Sequence, residues 1–149
     1  KNIGMIVVIL LYVLLAATPI PAEPLTILTA AIYTPLTAAL LAGTGFTLGS
    51  MVEYYIGSKF SKSSNIIENK EKMPLGLGKV PVESPYFQLL GRLIPGYGAK
   101  VVSFISGYYR VPMSTYLWTS TLVNFLGAII YAYGGYQIFA QIFPNLRRP

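Results

Sequence analysis

Residues 90–100 read LGRLIPGYGAK. A guanidinium, Arg92, and an ammonium, Lys100, flank the turn Pro95-Gly96-Tyr97-Gly98. The arms on either side, SPYFQLL (84–90) and VVSFISGYY (101–109), carry no charge at all. Two cations therefore stand at the broken point of an oily segment, and either the fold or the chemistry must account for them.

Composition sets the solvent. The 149 residues are 54% hydrophobic and 11% charged, with a mean hydropathy of +0.57. A soluble domain carries about 25% charged residues, so the chain reads as one integral membrane domain. The apolar start, Asn2–Ala17, is expected to stay with the chain, because equally apolar segments follow at once. There is no Cys, His or Asp. That removes disulfides, the usual metal ligands and any Ser/His/Asp set, so no enzyme activity, metal or cofactor is expected. Acidic roles fall to Glu23, Glu53, Glu68, Glu71 and Glu83. A net charge of +6 suits phosphate-bearing lipid headgroups and offers no groove for nucleic acid.

Prolines cut the apolar sequence into unequal pieces. Ile3–Ala17 ends at TPIPAEP, where Pro19, Pro21 and Pro24 forbid a continuous helix. Leu25–Tyr33 is far short of the ~20 residues a bilayer needs. Pro35–Gly57 is long enough to span, and Gly43, Gly45 and Gly49 within it invite close helix packing. GTGFTLG (43–49) lacks the Lys-Ser/Thr ending of a phosphate loop, so packing explains it better. The polar stretch Lys59–Glu83 reads as a loop with room for a short amphipathic surface helix, and its lysines favour the cytoplasmic side. Two more short arms follow, Tyr86–Ile94 and Val101–Tyr109, and then a second span, Pro112–Phe139. Tyr108, Tyr109 and Arg110 precede that span as interfacial anchors, and Asn124 within it suits an interhelical hydrogen bond.

The order short arm, break, short arm, span thus occurs twice. Sliding the chain on itself by 77 residues lays Pro35 on Pro112, Leu40 on Leu117, Thr44 on Thr121, Tyr54 on Tyr131 and Gly57 on Gly134. Glu23 falls on Lys100. One span between the halves leaves the second inverted relative to the first. The expected fold is all-α and integral to the membrane: two inverted repeats, about residues 1–58 and 85–143 around a polar loop at 59–84, each a re-entrant helical hairpin followed by a full transmembrane helix. Re-entrant backbone must be buried in protein or line a wet cavity.

Candidate site residues follow from the breaks. A half-helix beginning at Gly98-Ala99-Lys100 points its unpaired N–H groups at the turn. With Gly96 and Gly98 for close backbone approach, and Arg92 and Lys100 for charge, the turn is a candidate phosphate site. The plainer reading has both cations snorkelling to the interface. Glu23 stands between Pro21 and Pro24, either pairing with a cation or exchanging a proton, or simply capping the next arm. Glu53 reads as an ion-pairing or coupling carboxylate, or as an anchor beside Tyr54 and Tyr55.

The residues also resemble a family. PIPAEPLTILTAA (19–31), GTGFTLGSMVEYYIGSKF (43–60), FQLLGRLIPGYG (87–98) and SGYYRVPMSTYLWTSTLVNFLGAIIY (106–131) together resemble the DedA family, also called the SNARE-associated Golgi or VTT-domain superfamily. The resemblance implies two re-entrant hairpins and transport of phospholipid or polyprenyl-phosphate lipids by a flippase or scramblase, proton- or sodium-coupled in some members. It maps the acid of the first hairpin onto Glu23 and the leading Arg of the second onto Arg92. Two family positions differ: a second Arg is replaced by Gly98, with Lys100 available to stand in, and an Asp is replaced by Ser50. Glu23 and Arg92 are expected to face one cavity. The expected location is a prokaryotic plasma membrane, and the expected partners are phosphate-headgroup lipids and further copies of the chain. A non-transporting scaffold that binds lipids or proteins is the alternative, and a small-ion channel a weaker third.

Overall fold

A computed structural model describes residues 2–63, 81–94 and 96–142. Its elements are α1 (Asn2–Ala16), α2 (Glu23–Ile32), α3 (Pro35–Ser63), α4 (Pro85–Arg92), α5 (Gly98–Tyr108) and α6 (Met113–Ile142), with no strand among the described residues. The expected amphipathic helix in the polar stretch, the turn residue Pro95 and the basic tail lie outside the described residues.

Proline and hydroxyl side chains set the boundaries. The Thr18 hydroxyl donates to the Leu15 carbonyl at 2.9 Å as α1 ends. Pro24 occupies the first turn of α2, where its missing N–H costs nothing. Thr34 caps α3 by accepting the Thr37 N–H at 3.2 Å, with Pro35 in the first helical position. α5 ends in a Schellman turn. Val111 N–H reaches the Ser106 carbonyl at 2.9 Å, and Arg110 N–H reaches that of Gly107 at 3.1 Å. The left-handed residue of that turn is Arg110, at φ 54°, a place where glycine is usual.

Two helices, Pro35–Ser61 and Met113–Ile142, are long and apolar enough to cross a membrane. α3, with 29 residues, is about 43 Å long. It continues through residues 59–63, which the sequence reading assigned to the polar loop. Polarity there marks the exit from hydrocarbon, whereas a helix needs no apolar side chains to continue. α1 and α2, with 15 and 10 residues, are too short to cross upright.

The described residues form two compact units. One, within Lys1–Gly49 and Thr121–Pro149, holds α1, α2, the first half of α3 and the second half of α6; the other is Ser50–Ser120. In the first unit the buried apolar residues are mostly alanines: Ala30, Ala38, Ala39 and Ala132 form one cluster, and Ala22, Ala42 and Ala128 pack with Tyr12 in another. Gly43, Gly45 and Gly49 of α3 leave room for Phe125, Tyr12 and Ala16 respectively, each within 2.7 Å of where a Cβ would stand. That is the packing role expected of GTGFTLG. Asn124 donates to Thr47 at 3.5 Å, as a mid-span interhelical bond.

In the second unit α3 and α5 touch backbone to backbone. A Cβ on Gly57 would strike the Phe104 carbonyl, and one on Gly107 the Tyr54 carbonyl. Val82, Val111 and Tyr116 form the apolar centre there, with the Tyr54 and Tyr116 ring centres 4.6 Å apart and the rings tilted at 42°.

The outward residues are the large apolar ones. Leu36, Leu40 and Leu48 of α3, and Leu122, Leu126, Ile129 and Ile130 of α6, are exposed, whereas Thr26, Ser103, Ser106, Thr119 and Ser120 are wholly buried. A water-soluble protein sorts these classes the other way, and a lipid-embedded one sorts them as found here.

The Schellman turn yields a stability test. Arg110→Gly removes the left-handed penalty of about 1 kcal/mol and should raise the thermal midpoint in detergent by roughly 2–4 °C. A lowered midpoint would mean that the Arg110 side chain contributes more than its backbone costs.

Candidate functional site: a buried guanidinium beside a helix N-terminus

α4 and α5 are joined by the turn that carries the opening motif. α4 ends at Arg92, and α5 begins at Gly98. Gly96 has φ +83°, a conformation only glycine adopts freely. Gly98 is helical, and what it supplies is space. A Cβ there would lie 2.5 Å from the Gly91 carbonyl oxygen and 2.8 Å from the Ile94 Cβ. No side chain caps the start of α5, so the first N–H groups of this eleven-residue helix are directed into the turn.

Arg92 does not snorkel. It is 4% exposed. Its Nη1 donates to the Ser103 hydroxyl at 3.2 Å, and Ser103 in turn donates to the Ala99 carbonyl at 2.8 Å. The guanidinium carbon lies 5.1 Å from the centre of the Tyr116 ring, within range of a cation–π attraction. Its Nε and Nη2 are buried with no hydrogen-bond partner. One turn earlier on α4, Gln88 is fully buried. Its amide nitrogen donates to the Val82 carbonyl at 2.8 Å and to the Ser106 hydroxyl at 2.7 Å, and its Oε1 is buried without a partner.

Lys100, in the first turn of α5, pairs with Glu53 of α3: Nζ to Oε1 is 3.5 Å, with side-chain exposures of 20% and 12%. Ser103 also faces the Glu53 carboxylate, and Arg92 lies within electrostatic reach of it. Four helices therefore converge on one polar cluster: Glu53 from α3, Arg92 from α4, Lys100 and Ser103 from α5, and Tyr116 from α6. Tyr116 is anchored by donating its hydroxyl to the Ser50 carbonyl at 2.5 Å. Ser50 stands where the resemblance would place an Asp, and its backbone contributes here.

Glu23 belongs to the other unit, so the expected shared cavity with Arg92 joins residues that are described separately. Glu23 is the first residue of α2 and has a buried Oε2 without a partner. Tyr131 is the ring that its charge influences. Nearby in that unit the Tyr12 hydroxyl donates to Thr26 Oγ1 at 3.0 Å.

Sequence reasoning missed Gln88, Ser103 and Tyr116. The available signal was spacing: Gln88 stands four residues before Arg92 and Ser103 three after Lys100, each on the same helical face as its charged neighbour.

The VTT domain matches residues 20–137. The chain belongs to the VTT-domain family, the DedA/SNARE-associated family. No curated protein and no solved structure matches it. VTT-domain proteins are generally membrane proteins, in keeping with the two long apolar helices and the outward Leu and Ile side chains.

A buried cation with unfilled donors costs stability. An apolar group of similar length in its place carries no such desolvation cost. Arg92→Met should therefore keep or raise the thermal midpoint of this VTT-domain protein. A fall of several degrees would make Arg92 a structural prop.

Proposed function

We propose that the protein moves phosphate-bearing lipids, phospholipid or polyprenyl phosphate, between membrane leaflets as a flippase or scramblase, and that the phosphate is held by Arg92, Lys100 and the amides opening α5. The observation that carries this reading is the buried Arg92 with two nitrogens unpartnered. A cation in that state gains from an anion that accepts its N–H groups, and a planar guanidinium can offer two of them to one phosphate. Gly96, exposed and left-handed, lets the backbone approach such a group closely.

An inverted-repeat architecture with re-entrant hairpins α1–α2 and α4–α5 fits this reading. Helix lengths follow the order short, short, long twice. At the offset of 77, Thr47 and Asn124 are equivalent positions, and they are hydrogen-bonded to each other. Equivalent residues meet in this way where a pseudo-two-fold axis passes. Glu23, with its unpartnered buried oxygen, is the group we assign to proton or sodium coupling. The protein is then a transporter with no catalytic residue, at home in a prokaryotic plasma membrane, with lipids and further copies of itself as partners.

The decisive measurement is leaflet-to-leaflet flux of fluorescent phospholipid and of polyprenyl phosphate in vesicles, at matched protein levels. Arg92→Ala should abolish flux, and Arg92→Lys should restore it only in part, because an ammonium cannot grip two oxygens in fixed geometry. Wild-type flux in Arg92→Ala would exclude the anion site. A wild-type protein that moves neither lipid would leave a non-transporting scaffold. Glu23→Gln should retain phosphate binding but lose any response of flux to a proton or sodium gradient.

A further inference from the structure

The Glu53–Lys100 pair does not follow from a phosphate site. Lys100 occupies the third position of α5, beside the N–H groups of the helix start, where an anion is favoured by the dipole. Its ammonium is instead engaged by a carboxylate from α3, 3.5 Å away. Glu53 lies within the apolar span Pro35–Ser61, where a carboxylate is costly unless paired. The pair is shielded, with side-chain exposures of 20% and 12%, so it is not the solvent-screened kind that contributes almost nothing. Ser103 links the two cations' surroundings: it accepts from Arg92 Nη1 and faces the Glu53 carboxylate. The three charged side chains sum to a single positive charge, carried mainly where Arg92 has its unpartnered nitrogens.

We propose that Glu53 is a tethered stand-in for the ligand. Its carboxylate holds Lys100 when no anion is bound, and an arriving phosphate takes over Lys100 by displacing it. The displacement keeps Lys100 neutralised throughout the exchange and sets a threshold: only an anion that also satisfies Arg92 competes with a carboxylate fixed to the protein. Glu53 is thus an affinity-setting residue of the site. This inference rests on the phosphate-site reading above.

The test uses the full chain in detergent, with glycerol 1-phosphate as probe and calorimetric titration as readout. Glu53→Gln should bind the probe about fivefold to tenfold more tightly, tenfold being about 1.4 kcal/mol. Glu53→Asp, which keeps the charge but shortens its reach, should tighten binding less, and it serves if the Gln variant does not fold. In the wild type, labelling of Glu53 by an apolar carbodiimide should rise when the probe is added. Weaker binding in Glu53→Gln would overturn the proposal and make Glu53 a support that positions Lys100. Unchanged labelling on addition of probe would overturn displacement. Arg92→Ala separates the two levels: if it leaves binding intact, the phosphate-site reading fails. If it abolishes binding while Glu53→Gln leaves affinity unaltered, only the stand-in fails.

Discussion

Lipid tails are as apolar as leucine, so this chain gains nothing by turning its large apolar side chains toward each other. Helices embedded in lipid hold together through close backbone approach, dispersion and polar contacts. The second unit rests on this constraint at one crossing: Gly57 of α3 faces the Phe104 carbonyl, and Gly107 of α5 faces the Tyr54 carbonyl. Any Cβ at either glycine would drive the two helices apart. The close crossing accompanies the Glu53–Lys100 pair, since Glu53 is one helical turn before Gly57, and Lys100 precedes Gly107 by two turns.

The hydroxyls serve a related purpose. Thr29, Thr47, Ser103, Ser106 and Thr119 each donate to the carbonyl four residues back on their own helix, and Ser120 does the same toward Tyr116. A serine bonded this way is satisfied locally and keeps its acceptor lone pairs for a neighbour. Ser106 uses them to receive Gln88 and Ser103 to receive Arg92. Small polar residues thus permit close packing and also provide acceptors where a buried guanidinium and a buried amide need them.

Much of this was legible in the sequence, and the reasons are physical. Proline positions mark chain breaks whatever the tertiary context, so the order of arms and spans was readable, as was the start of α5 at Gly98. Glycine at 43, 45 and 49 signals packing because the steric argument is local. What could not be read was partner choice. Glu53 and Lys100 are far apart in sequence, and no local rule joins them. Gly98 was readable as a point of close approach, but not what it approaches: it lets α5 pass the Gly91 carbonyl. Ser103 and Gln88 are ordinary residues in apolar arms, and their importance depends on facing Arg92 or Ser106 across two helices.

The two cations of LGRLIPGYGAK are placed unequally, and the inequality matches their chemistry. The more deeply buried one is Arg92, whose guanidinium stays protonated in any protein environment. A lysine buried to the same degree would tend to shed its proton and with it the attraction for phosphate. The lysine of the motif stands where it is partly exposed and has a carboxylate beside it. Reversing the two residues would keep the formal charge of the sequence and weaken the charge of the site, because the ammonium would then lie where desolvation is strongest, farther from the Glu53 carboxylate than ion-pair distance. The order of the motif, Arg before the turn and Lys after it, is therefore part of its chemistry: the permanent charge sits at the buried end of α4, and the exchangeable partner sits at the open end of α5.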